Sequence, residues 1–368
     1  MRALSDAGAD VFALPDADRM SRRSRLFRGA PSNLVGLRAE TLAGALPSLP
    51  PRTVLFPCSD MWARAIAALP DESRRAYPAS IAPLAALDIL VDKGKFRETL
   101  ERLDIPHPTT RNLSSVGDLE RIADDVFQSS FLKPQHSQQF FARFGVKAFR
   151  VGSRAEALER FEMCAANGLE MMLQEYIPGP PTNHYFIDGF VDRNGVVRAM
   201  FARRRLRMNP PDFGNSTLMV SIPIEDVGEA AASLRKLLAD LRYRGIFSAE
   251  FKRDERSGVF NIIEVNARPW WYVEFAARCG VNVCALALAD ALGEPVQTIS
   301  RYAIGRRCVF PYYDAEAVRA EMRAGRVGVL GWARSWLGAY QPVFRWSDPL
   351  PALGEILLLL GRRMSKKG

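Results

Sequence analysis

GIFSAEFKRDERSGVFNIIEVNAR, residues Gly245–Arg268, reads as two strands joined by a turn. Along Ile246–Lys252, alternation puts Phe247, Ala249 and Phe251 on one side and Ser248, Glu250 and Lys252 on the other. The mostly charged stretch Arg253–Gly258, ending in Ser257-Gly258, is the turn. In the second strand, Ile262, Glu264, Asn266 and Arg268 share a face, with Ile263, Val265 and Ala267 opposite. An unbulged hairpin therefore sets Glu250 directly across from Glu264.

Two carboxylates facing each other across a ladder repel. Followed by Asn266 and Arg268 on the same face, they call for a positive charge between them. Hard oxygen donors of this kind suit Mg²⁺, which keeps some waters and takes further ligands from substrate phosphates. Arg268 is then placed to hold a phosphoryl oxygen or a developing negative charge.

The pattern E-F…I-I-E-V-N-A-R resembles the metal-binding end of the ATP-grasp superfamily. The resemblance implies that Glu250, Glu264 and Asn266 bind Mg²⁺ bridging the phosphates of ATP, two ions being expected and Mn²⁺ an acceptable substitute. It gives Arg268 the place of the family's arginine.

Upstream residues fall in family order. Asp92-Lys93 opens a helix with Phe96, Leu100 and Leu103 on one stripe, ending at Ile105-Pro106. A first-turn lysine opposes the helix dipole, which makes sense if Lys93 meets an anion. Ser115–Phe127 reads as one helix and Ser130–Pro134 as a strand carrying Lys133, which the resemblance assigns to the nucleotide phosphates and, with Arg268, to catalysis. Gln135–Gly145 reads as a lid loop with little glycine. Phosphate contacts there fall to side chains such as Ser137, Arg143 or Lys147. Ser153 to Glu156 is a capping box. Met171–Gly179 is a strand running into a turn, where Gln174, Glu175 and Ile177 occupy the places that read the adenine edge. Thr182-Asn183-His184 occupies the ribose region, with Asn183 as the nucleotide contact.

Tyr185–Phe190 and Val196–Arg203 are strands joined by a turn at Asp192–Gly195, and Glu225–Arg242 is an amphipathic helix. Arg203, Arg205 and Arg207 share a strand face, with Arg204 and Leu206 opposite. Three guanidinium groups on one face call for solvent or an anion, and Arg205 and Arg207 are read as clamping ATP phosphates or a substrate carboxylate. After Arg268, Trp270-Trp271 reads as a core wedge before a helix through Leu292.

The fold class that follows is α/β, an α+β ATP-grasp fold. Residues 1–90 form a small α/β domain preceding the ATP-grasp module, 91–180 its small lobe, 181–298 the large lobe with the metal site, and 299–368 a C-terminal extension. In the first domain, Thr53–Pro57 is a short strand; Asp60 at its carboxyl end stands either where open α/β sheets bind ligands or, the reading preferred, as the N-cap of the next helix. The usual opening strand and glycine turn are missing, so the first strand is either dispensed with or lies before the assigned start. The basic run Arg22–Arg25 is a solvated loop. Ile356–Leu360 with Arg362, Arg363, Lys366 and Lys367 is read as docking on the protein with a frayed tail, in preference to lying on an anionic membrane.

The chain has 368 residues, 48% hydrophobic and 25% charged, ordinary globular composition for two or three domains. Net charge is +9, which favours anionic partners. Five scattered cysteines and three histidines argue against zinc and a disulfide framework, and fit a reducing cytoplasm. No segment approaches a membrane span of about 18–20 apolar residues. The resemblance is to the carboxylate–amine ligase branch, which includes D-alanine–D-alanine-ligase-like and amino-acid ligase enzymes. It implies that ATP activates a small-molecule carboxylate as an acyl phosphate, that an amine displaces phosphate, and that ADP is released. The alternatives are an ATP-grasp kinase acting on a non-carboxylate acceptor, or a basic binding protein with a degenerate ATP site. Nucleic acid is not a favoured partner, and no oligomeric state follows.

Overall fold

A computed structural model describes residues 1–14, 21–30, 34, 37–135, 137–210, 213–323, 325 and 327–356. The tail from 357 onward lies outside the described residues, as do His136 in the lid and Pro211-Asp212 beyond the arginine strand.

Near the N-terminus, β1 (Phe12–Ala13) and β2 (Arg28–Gly29) pair in parallel. Thr53–Pro57, expected as a strand, runs extended without joining a sheet; Leu55 N–H bonds the Pro78 carbonyl instead. The following helix, Asp60–Ala67, is capped by Ser59, whose side chain accepts from Trp62 N–H. Asp60 is therefore free of the capping role assigned to it.

Residues 110–175 build a four-stranded antiparallel sheet. Its strands β3 (Thr110–Leu113), β4 (Ser130–Pro134), β5 (Phe149–Val151) and β6 (Met171–Glu175) lie in the order β3-β6-β4-β5. Two expectations change here. Ser115–Phe127 is two short helices, Val116–Glu120 and Asp124–Gln128, not one. The lid holds a helix, Ser137–Phe144, because Phe140 buries itself completely against Phe144 and Phe149. That aromatic cluster rewards a helical spacing which a glycine-poor loop permits.

The larger sheet has six strands in the order β11-β10-β7-β8-β9-β12. They are β7 (His184–Val191), β8 (Val197–Asn209), β9 (Asn215–Ile222), β10 (Gly245–Arg253), β11 (Phe260–Asn266) and β12 (Arg307–Val309). The last comes from the segment beyond 298 and pairs with β9. One face of the sheet packs Phe247, Ala249, Phe251, Val265 and Ala267 against the helices Leu84–Val91, Lys93–Arg102 and Gly228–Asp240, forming the largest core. At one end of the other face, Phe190, Phe201 and Ile246 meet the helices Val273–Arg278 and Val283–Leu292. Those two helices, expected as one through Leu292, are broken at Gly280, whose φ is +102°. Trp270 is buried as a wedge, whereas Trp271 is exposed. The unburied remainder of this face carries the site.

Gly245 explains how the N-terminal region seats on the sheet. Its φ is +91°, and a Cβ there would lie 2.8 Å from the Ile81 backbone. Only glycine permits that approach.

Candidate active site

The central hairpin sets the geometry. β10 and β11 pair Ser248 with Asn266 and Glu250 with Glu264, the register expected for an unbulged hairpin. Beyond Glu250 the register shifts, and Phe251 pairs with Ile262. This bulge corrects the assignment of Ile262. It turns to the core side with Phe251 and Val265, while Glu264, Asn266 and Arg268 stay on the polar face.

The two facing carboxylates have unequal surroundings. Glu250 Oε1 accepts from Arg205 at 3.1 Å and from His184 Nδ1 at 2.8 Å. Burial pushes its carboxyl up, but Arg205 and His184 outweigh burial and hold it well below the usual range. Burial and Arg205 pull His184 down to about 4, so its ring is neutral and Nδ1 donates. Glu264 is exposed, and its carboxylate takes Asn266 Nδ2 at 3.1 Å with no basic partner among the described residues. Asn266 Oδ1 in turn accepts from Arg268 Nη2 at 3.1 Å, and Arg268 Nε donates to Asp60 at 2.9 Å.

Lys93 and Lys133 approach from the smaller lobe. Glu264, Asn266, Arg268, Asp60, Lys93 and Lys133 all line one cleft of about 1500 Å³. Asp92 caps the Lys93 helix by accepting from Gly94 and Lys95 N–H, so Lys93 sits in the first turn as expected. Its ammonium bonds the carbonyls of Pro134 and, at 2.9 Å, Gln135. Burial pulls the group down to about 7; neighbouring Lys133 deepens the fall and Glu264 opposes it. Lys133 has no hydrogen-bond partner among the described residues. A smaller recess, lined by Lys93, Lys133, Gln174 and Ile263 among others, adjoins the cleft.

Other expected residues fall less centrally. Gln174 is buried and bonds Thr110 at 2.8 Å, Glu175 meets Arg256 and Thr109 N–H, and Ile177 is buried. Asn183 bonds the Arg253 carbonyl at 3.1 Å. Lys147, by contrast, stays with the centre: it reaches Asn215 Oδ1 at 2.7 Å, burial lowers its ammonium, and the charges of Glu250 and Glu264 oppose that fall.

The arginine strand separates into three pairs rather than one clamp. Arg203 is buried on Asp188 at 2.6 Å and stacks on Phe186, and Arg205 joins Ser216 and Glu250. Arg207, expected beside Arg205 on a ligand, is held by both oxygens of Asp314. Register shifts around Arg207 turn it away. The anions among the guanidinium groups are thus the chain's own carboxylates.

Sequence reasoning missed Asp60 as the partner of Arg268, and His184 as a holder of Glu250. The His184 contact depends on β7 lying beside β10, a pairing across 66 residues that no local pattern signals.

The donor set fits Mg²⁺. Its oxygens are hard, Glu264 forms no salt bridge among the described residues although Lys93 and Lys147 feel its charge, and Glu250 is engaged there through Oε1. No group of three or more His, Cys, Asp and Glu side chains gathers anywhere among the described residues, so the candidate metal site is two carboxylates and an amide rather than such a cluster.

No protein-family model matches the chain. D-aspartate ligase of Enterococcus faecium (strain Aus0004) is 25% identical over 251 residues, covering 64% of this chain and 58% of that protein, so the chain spans less than two thirds of that relative. Among solved structures, the biotin carboxylase domain of Hydrogenobacter thermophilus 2-oxoglutarate carboxylase superposes with TM-score 0.65 at 18% identity, covering 83% and 69% of the two chains. The L-amino acid ligase of Bacillus licheniformis gives TM-score 0.57 at 17% identity, covering 80% and 71%. The chain has the ATP-grasp fold.

Proposed function

We propose that this protein is a Mg²⁺- and ATP-dependent ligase that activates a small carboxylate as an acyl phosphate and passes the acyl group to an amine, releasing ADP and phosphate. The observation that carries the reading is Glu250 paired across the ladder with Glu264, which lines, with Asn266 and Arg268, the cleft that Lys93 and Lys133 enter. The similar D-aspartate ligase and L-amino acid ligase support the reaction class, and the Hydrogenobacter domain was solved with MgADP.

Glu250, Glu264 and Asn266 would hold Mg²⁺, two ions being proposed with Mn²⁺ as a substitute. The metal would offset the negative charge of the phosphates. Lys133, without a hydrogen-bond partner among the described residues, would take a phosphate oxygen, and Lys93 would recover its full charge beside one. Arg205 and His184 fix the orientation of Glu250. Arg268, steered by Asp60 and Asn266, meets the reacting carboxylate and the charge developing on it. The chain's contribution is positioning and electrostatic compensation, and no side chain need be covalently modified.

The test is the fate of oxygen. With ¹⁸O in the substrate carboxylate, D-aspartate being the first acid to try with a panel of amines, label should appear in released phosphate alongside ADP. Formation of AMP and pyrophosphate would remove the reading.

A further inference from the structure

Two features of the chain are not used by the ATP site: the basic run Arg22–Arg25 and the apolar, basic C-terminal end. The fold brings them together. Asp348 is almost wholly buried and accepts from Ser24 Oγ at 2.7 Å, Arg25 N–H at 2.8 Å and Arg2 at 3.0 Å. Arg25 also donates from its guanidinium to the Ser347 carbonyl at 2.7 Å, and the Arg23 side chain packs over Gly354. Arg22, Arg23 and Arg25 nonetheless remain exposed.

Beside this clasp lies an apolar surface that no described residue covers. Trp346 is 89% exposed. The helical turns over 350–356 bury Pro351 and Gly354 and point Leu350, Leu353 and Ile356 outward, each about half exposed. The sequence continues with Leu357–Leu360 and then Arg362, Arg363, Lys366 and Lys367. From 301 onward there are twelve Lys and Arg against five Asp and Glu, so most of the chain's net +9 resides there.

We propose that this face docks on an anionic lipid surface. Large aliphatic residues and a tryptophan turned to solvent, flanked by guanidinium groups, match the acyl boundary and headgroup layer of such a bilayer. Each basic residue near the surface adds attraction to anionic headgroups. A second copy of the chain fits less well, because an isologous pairing would oppose the two arginine runs. No helix among the described residues is long and apolar enough to cross a membrane, so the contact is peripheral.

Flotation of the full chain with vesicles tests this independently of the ligase reading. Binding is expected to vesicles of equal phosphatidylglycerol and phosphatidylcholine, not to phosphatidylcholine alone, and should weaken with salt. Arg22→Gln with Arg25→Gln should reduce it by about tenfold or more. Trp346→Ser should also weaken it several-fold, and a side chain so exposed can be changed without threatening the fold. Equal binding to both vesicle types, no binding to either, or undiminished binding of the variants would overturn the proposal. So would a dimer in sedimentation that Leu353→Glu dissociates, which would make the surface a contact between copies.

Discussion

At the scale of single residues, the two facing glutamates are chemically unlike. Glu250 neutralises a buried Arg205, so Glu250→Gln should leave that guanidinium unpaired and cost about 3 kcal/mol of stability or more. Glu264 is exposed and, among the described residues, bonds only Asn266, so Glu264→Gln should leave thermal unfolding unchanged while weakening Mg²⁺-ATP binding or turnover by about tenfold. Equal loss of stability in both variants would contradict this asymmetry. Lys93 adds a pH signature. Its folded value near 7 lies below the usual lysine value, so between about pH 7 and 10 the unfolded chain binds more protons than the folded one. This residue's penalty is therefore fully present below pH 7 and disappears as pH rises towards 10. Phosphates beside Lys93 would restore its charge, so Mg²⁺-ATP binding at pH 8.5 should take up close to one proton and at pH 6 almost none. Calorimetry in buffers of different ionisation enthalpy measures this directly, and zero uptake at pH 8.5 would move the phosphates away from Lys93.

At the scale of elements, the segment expected as a lid is held by aromatic packing rather than formed as a glycine-rich loop. Phe140 anchors the helix Ser137–Phe144 against Phe144 and Phe149, immediately after the carbonyls that Lys93 bonds. Phe140→Ala should cost about 3 kcal/mol. Hydrogen exchange should rise in 137–144 with little change in β10 and β11, and the Michaelis constant for ATP should increase. Unchanged exchange in that helix would show that it is anchored elsewhere. Its helicity was hidden because Gln135–Gly145 has weak local preference, and Phe149, which rewards the helix, arrives only on the next strand. The single helix expected over Ser115–Phe127 failed for a related reason: Leu119 and Phe127 are both buried, but on two short helices set separately against the sheet.

At the scale of the whole molecule, the C-terminal segment is fastened through Asp314. This buried carboxylate on the helix Pro311–Arg323 accepts from Arg207, Thr217 and Trp336, joining β8, β9 and the helix Val329–Trp336. Asp314→Ala should cost about 3 kcal/mol or more, because Arg207 loses its counter-charge. Hydrogen exchange should rise across 329–336, and an unaltered melting temperature would refute the clasp. Local pattern alone determined the hairpin, the Glu250–Glu264 register and the first-turn position of Lys93, since alternation, turn chemistry and capping act between near neighbours in the chain, while the fold class and the role of Lys133 followed from the resemblance to the ATP-grasp superfamily. Only the tertiary structure decided which charges are spent inside the protein. Asp188, Asp314 and Asp60 meet Arg203, Arg207 and Arg268 through contacts 15, 107 and 208 residues apart. A guanidinium group in sequence reads the same whether its anion is a ligand or a distant aspartate; the packing of sheets and helices determines which carboxylate it reaches.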